Sequence, residues 1–135
     1  MAKSGSISKY VCALAVILTV PWARTAAAAD FYVTNPTELQ TALNSAQGGD
    51  AVNLAPGTYT GNFKLPVHGG TGYVIVRTTP GNSALPQSGT RITPAASPNL
   101  AKLVSPNSSP VIRTAAGAAY WRIEVLEVGA GAYTL

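Results

Sequence analysis

The chain has 135 residues and a formal net charge of +4, from nine Lys and Arg against five Asp and Glu. Lys3, Lys9 and Arg24 fall within the first 29 residues, which hold no acid, so the remainder is close to neutral. That excludes a general nucleic-acid binder, and a charged fraction of 10% excludes a charge-driven disordered chain. One domain with a modest core is the ceiling.

Residues 1 to 9 (MAKSGSISK) are polar and basic, residues 10 to 20 (YVCALAVILTV) are apolar, and TAAAA precedes Asp30. Charged, apolar and small segments in this order define a secretory signal peptide, and Ala27 and Ala29 form an A-x-A site. The reading is therefore a leader over 1–29, cleaved after Ala29 or within two residues of it, and a secreted product in the periplasm or outside the cell. The apolar run is too short for a spanning helix, which needs about 20 residues, so no stable membrane insertion follows cleavage. Cys12 is the only cysteine and lies in the leader. The remainder has no thiol for a disulfide or a metal site.

In the next segment Asn35 is placed to cap a helix, Pro36 suits its first position, and Glu38 completes a capping box. Leu39, Ala42, Leu43 and Ala46 follow on one face. The spacing predicts an amphipathic helix over 36–47, ended by Gly48 and Gly49. Residues 30–48 form an N-terminal cap on this reading.

From residue 49 onward the pattern is β. DAVNL (50–54) alternates, APGTY (55–59) is a turn, and YVIVR (73–77) and YWRIEVLEV (120–128) are β-prone. Shorter apolar patches lie at Ile92, at Leu103-Val104 and at Val111-Ile112, separated by VHGGTG, TTPGNSALPQSGT, TPAASPN and SPNSSP. Val52, Ile75, Leu103 and Leu126 recur at irregular intervals in the twenties, a spacing that suits a solenoid with variable loops.

Thr37 to Phe63 resembles the opening of right-handed parallel β-helix proteins of the pectin-lyase-like group. The residues that carry the resemblance are the short helix, Gly49-Asp50-Ala51-Val52-Asn53-Leu54 and Pro56-Gly57-Thr58-Tyr59. YVIVR and YWRIEVLEV look similar to later pieces, except that Val125 stands where glycine is the rule. The resemblance covers about residues 31–128. It implies an all-β fold, a right-handed parallel β-helix (solenoid) with a short N-terminal capping α-helix, whose first coils occupy 49–135. The stretch GAGAYTL shows no second cap, so the chain reads as the N-terminal part of a longer protein, with catalytic residues outside it.

The resemblance also implies a protein that binds or cleaves polysaccharide, as a lyase or a glycoside hydrolase. The alternative is a non-catalytic surface, adhesion or carbohydrate-binding protein. Lyases of this kind use a Ca²⁺-holding carboxylate cluster with an Arg or Lys base. Here only Glu124 and Glu127 are neighbours, and on one straight strand they face opposite sides. No catalytic residue and no calcium site is evident. Arg77, Arg113 and Arg122 each adjoin an inward apolar position and are predicted to align as an outward ladder. Arginine is suited to the carboxylates of an acidic polysaccharide. Tyr59, Tyr73, Tyr120, Trp121 and Tyr133 are the aromatics available for stacking on sugars. Trp121 shares parity with Ile123 and is assigned to the core, which leaves Tyr120 as the surface candidate. His68 is read as a loop histidine, because no G-x-S-x-G accompanies it. Asn107-Ser108-Ser109 is a formal glycosylation sequon. Oligomeric state is not legible.

Overall fold

A computed structural model describes residues 27–79, 85 and 89–130. The expected leader up to residue 26, Cys12 and Tyr133 lie outside the described residues, as do residues 80–84, 86–88 and 131–135.

The chain opens with strand β1 (Asp30–Val33), followed by helix α1 (Pro36–Ser45). Asn35 caps the helix as its side chain accepts from the Glu38 N–H at 2.9 Å. The return half of the capping box lands one residue early: Glu38 Oε2 accepts from the backbone N–H and the hydroxyl of Thr34, both at 2.9 Å. Leu39, Ala42, Leu43 and Ala46 are all buried, as their spacing requires. The helix ends two residues before the predicted limit, at an extended Ala46. Gly48 and Gly49 serve the turn that follows. A side chain at Gly48 would meet the Thr71 backbone at 3.0 Å, and Gly49 takes φ +104°.

Eight further strands follow: β2 (Ala51–Leu54), β3 (Gly57–Thr60), β4 (Phe63–Leu65), β5 (Val74–Thr78), β6 (Ala101–Ser105), β7 (Ile112–Thr114), β8 (Trp121–Glu124) and β9 (Leu126–Ala130). They form three short sheets, β1-β2-β5-β8, β3-β6-β9 and β4-β7, with every pairing parallel. From β2 onward, consecutive strands enter the three sheets in rotation. A 3-10 helix at Pro94–Asn99 lies where the sequence reads as loop.

The expected all-β class is therefore corrected. The described chain is mixed α and β: a helix and three separate parallel sheets enclose one core. The helix belongs to that core, because Leu39 and Leu43 pack with Val33, Val52, Leu54, Val74, Val76, Leu103 and Phe63. The irregular apolar series is also resolved differently. Val52 stands opposite Val76, not Ile75, while Leu103 belongs to another sheet, between Tyr59 and Val128. The series mixed positions from two sheets because loop length, not residue type, sets the interval. Val74 and Val76 are the inward residues of β5, and Ile75 points the other way. Ile123 shares the inward parity of Val76 but is 43% exposed, since no strand pairs beyond β8 among the described residues.

Two polar residues tie the sheets together at corners. Thr78 Oγ1 is buried between β5 and the next sheet: it donates to Val125 C=O at 2.5 Å and accepts from Ala101 N–H at 3.1 Å. Tyr59 is only 1% exposed, with its hydroxyl 2.9 Å from Val33 O and 3.0 Å from Ala55 O. Burial pushes its phenol above the ordinary value of 10.0. Tyr59 is thus a core residue, not a sugar-stacking one.

Candidate functional site

The register of the first sheet decides which predicted residues meet. Along its outer surface Tyr32, Asn53, Arg77 and Glu124 stand in one row, and Asp30, Ala51, Ile75 and Arg122 in the next. Arg77 and Arg122 therefore share a face, on β5 and β8. Arg113 does not join them. It lies on β7, opposite Lys64 of β4, on a different sheet. The three-arginine ladder is corrected accordingly. The sequence places each arginine beside an inward residue, but it does not say to which sheet each strand belongs.

The polar groups of this face are linked. Arg77 Nε donates to Asn53 Oδ1 at 3.0 Å, and Asn53 Nδ2 donates to Asp30 Oδ1 at 2.9 Å. Asn53 is fully covered, and its amide fixes the arginine from the neighbouring strand. Arg122 pairs with Glu124, two residues along the same strand, at 2.5 Å. Two cations and two anions thus occupy one surface, which is polar without a strong net field.

Aromatic rings flank it. Tyr73 and Tyr120, immediately before β5 and β8, are in edge contact with centroids 5.8 Å apart and are 54% and 62% exposed. Tyr120 holds a left-handed backbone, φ +59°, a conformation that costs a non-glycine residue about 1–2 kcal/mol and that marks functional positions in some proteins. Tyr32 stands at the other margin, 69% exposed. Tyr32, Asn53 and Asp30 are the members that sequence reasoning missed. Parity along β1 was available, but the alignment of β1 with β2 was not.

Behind Tyr120 the chain turns inward. Trp121 packs against the core, its Nε1 donates to Pro66 C=O at 3.0 Å, and His68 meets it edge-on with centroids 5.3 Å apart. His68 Nδ1 is 3.0 Å from Gly69 O, and its Nε2 is buried without a partner. Both residues act as packing.

Glu124 and Glu127 are separated by the corner at Val125 and have different partners. Glu127 accepts from the Ser97 hydroxyl at 2.6 Å and pairs with Lys102 at 3.4 Å. Among the described residues no group of three or more His, Cys, Asp or Glu is placed to hold a metal ion. No helix among the described residues is long and apolar enough to cross a membrane. Asn107 Oδ1 accepts from Ser109 N–H at 2.9 Å, which places the sequon in an exposed turn.

Comparison with protein-family models, with curated proteins and with solved structures finds no match to the chain.

Proposed function

We propose that this chain belongs to an exported protein that binds polysaccharide through the outer face of its first sheet. The observation that carries the reading is the pairing of exposed rings with fixed polar groups. Tyr73 and Tyr120 stand at one margin and Tyr32 at the other, with Arg77, Arg122, Asp30 and Glu124 between them. Aromatic rings offer flat apolar surface to the C–H faces of a sugar, while charged and amide groups pair with its hydroxyls or carboxylates. A row of polar groups carried across four parallel strands presents an extended surface, which suits a polymer better than a single small ligand. The resemblance of the 37–63 segment to pectin-lyase-like proteins points to the same substrate class. Binding is preferred to cleavage for this surface because its acids are engaged: Glu124 with Arg122, Asp30 with Asn53.

The test is affinity electrophoresis of the exported full chain in gels containing pectate, alginate or a neutral glucan. Retardation by at least one polymer is expected. Tyr73→Ala and Tyr120→Ala should each weaken it several-fold, and Arg113→Ala, on another sheet, should leave it unchanged. Equal mobility in all gels would sink the reading. Unsaturated-product absorbance on pectate or alginate would replace binding with cleavage.

A further inference from the structure

We propose that Asp50 is the receptor for a new chain terminus: removal of the leader between Ala28 and Ala29 creates an α-ammonium group on Ala29 that pairs with the Asp50 carboxylate. This rests on the export reading and adds to it both the bond that is cut and what the cut achieves.

Asp50 is a buried carboxylate, 7% exposed. Its Oδ1 accepts from the Ala29 N–H at 2.8 Å and its Oδ2 from the Gln47 N–H at 2.8 Å. Both donors are neutral amides. The ion pairs among the described residues, Lys102 with Glu127 and Arg122 with Glu124, leave Asp50 without a cation. Buried charges are ordinarily paired, because an uncompensated one is costly to desolvate. A cation at Ala29 N would supply the missing charge at a distance already right for a charge-assisted bond.

Ala29 also supplies the first hydrogen bond of the β1–β2 ladder: its carbonyl accepts from Ala51 N–H at 2.9 Å, in the Asp30–Ala51 rung. The local sequence alone does not choose the bond to cut, since Ala26 and Ala28 satisfy the small-residue rule as well as Ala27 and Ala29 do. The fold separates these options. Cutting after Ala29 removes both the donor to Asp50 Oδ1 and the acceptor for Ala51 N–H. Cutting before Ala28 leaves Ala29 N as a neutral amide. Only hydrolysis of the Ala28–Ala29 bond keeps the rung and turns the donor into a cation. One water is consumed; Ala28 leaves with the new carboxylate, and the Ala29 amine takes up a proton, as α-amino groups do below about pH 8. The processed chain is then more stable than its precursor.

The full 135-residue chain should be expressed in an exporting bacterial host, and the exported product read by N-terminal sequencing and intact mass. Expected is a product beginning Ala29-Asp30-Phe31. A product beginning at Asp30, or upstream of Ala29, overturns the inference and leaves export standing. An uncleaved chain held in the cell overturns both. In the exported product, selective acetylation of the α-amine should lower the thermal midpoint by several degrees, and Asp50→Asn should abolish most of that sensitivity. An unchanged midpoint on acetylation would refute the ion pair. Should Asp50→Asn fail to fold, the acetylation result on the unaltered protein decides.

Discussion

The side-chain amide of Gln40 on α1 and the backbone of Lys64 on β4 exchange two hydrogen bonds: Gln40 Oε1 accepts from Lys64 N–H at 2.9 Å, and Gln40 Nε2 donates to Lys64 C=O at 3.0 Å. One side chain thus does for β4 what a neighbouring strand would do. The edge of the two-stranded sheet is closed on the helix side, and the helix is held to the sheet by polar as well as apolar contacts. Exposed strand edges invite pairing with other chains, so this contact bears on solubility as well as stability. Both bonds are exposed, so Gln40→Ala is predicted to cost about 0.5–1.5 kcal/mol, the net worth of a typical hydrogen bond. Urea denaturation would measure it; a loss below experimental error would show that water replaces the amide at no cost.

The corner between β8 and β9 carries strain that can be relieved. Val125 has φ +53°, a region that β-branched residues avoid. This is the position at which the motif resemblance leads one to expect glycine. Val125→Gly is predicted to stabilise the fold by about 1 kcal/mol, the left-handed penalty reduced by the greater freedom of glycine in the unfolded chain. A lower thermal midpoint for this variant would show that the Val125 side chain contributes more than its backbone costs.

The same corner depends on Thr78, whose hydroxyl meets both Val125 C=O and Ala101 N–H. Thr78→Val keeps the shape and removes both bonds. It should destabilise by about 2 kcal/mol because two backbone groups lose their partner. Thr78→Ser, which retains the hydroxyl, should recover most of the loss. Equal stability of the Val and Ser variants in denaturant titrations would contradict this role.

Acid should weaken the fold in a defined window. The backbone N–H and hydroxyl of Thr34 hold Glu38 below the ordinary glutamate value of 4.5, and the Ser97 hydroxyl, aided by Lys102, does the same for Glu127. A carboxyl whose pKa is lower folded than unfolded contributes stability that is fully present above its unfolded value. That stability is lost as pH falls through the folded one. The thermal midpoint should therefore be flat, as far as these two groups are concerned, above about pH 5.5 and decline below about pH 4.5. The double variant Glu38→Gln, Glu127→Gln should show a shallower decline. A slope identical to that of the unaltered chain would assign acid sensitivity to other groups.

Local chemistry made several features legible in advance. Asn35, Pro36 and Glu38 mark the start of α1, and the spacing of Leu39, Ala42, Leu43 and Ala46 marks its buried face, because both effects act within one or two helical turns. Alternation placed Val52 and Leu54 inside in the same way. The errors are of another kind. Tyr59 looks like a surface aromatic until the carbonyls of Val33 and Ala55 are seen to receive its hydroxyl. Arg77, Arg113 and Arg122 look equivalent until β7 is found in a different sheet from β5 and β8.

By itself the amino-acid sequence determined the helix and its buried face, several of the β-prone runs and the inward side of β2. These follow from interactions between residues close in the chain. Only the tertiary structure decided that helix and sheets share one core, that Asn53 lies beside Arg77, that Tyr73 touches Tyr120, and that the Ala29 N–H meets Asp50. Each of these depends on parallel register between strands separated by loops of unequal length. Register is set by how the whole core packs, and no local pattern encodes it.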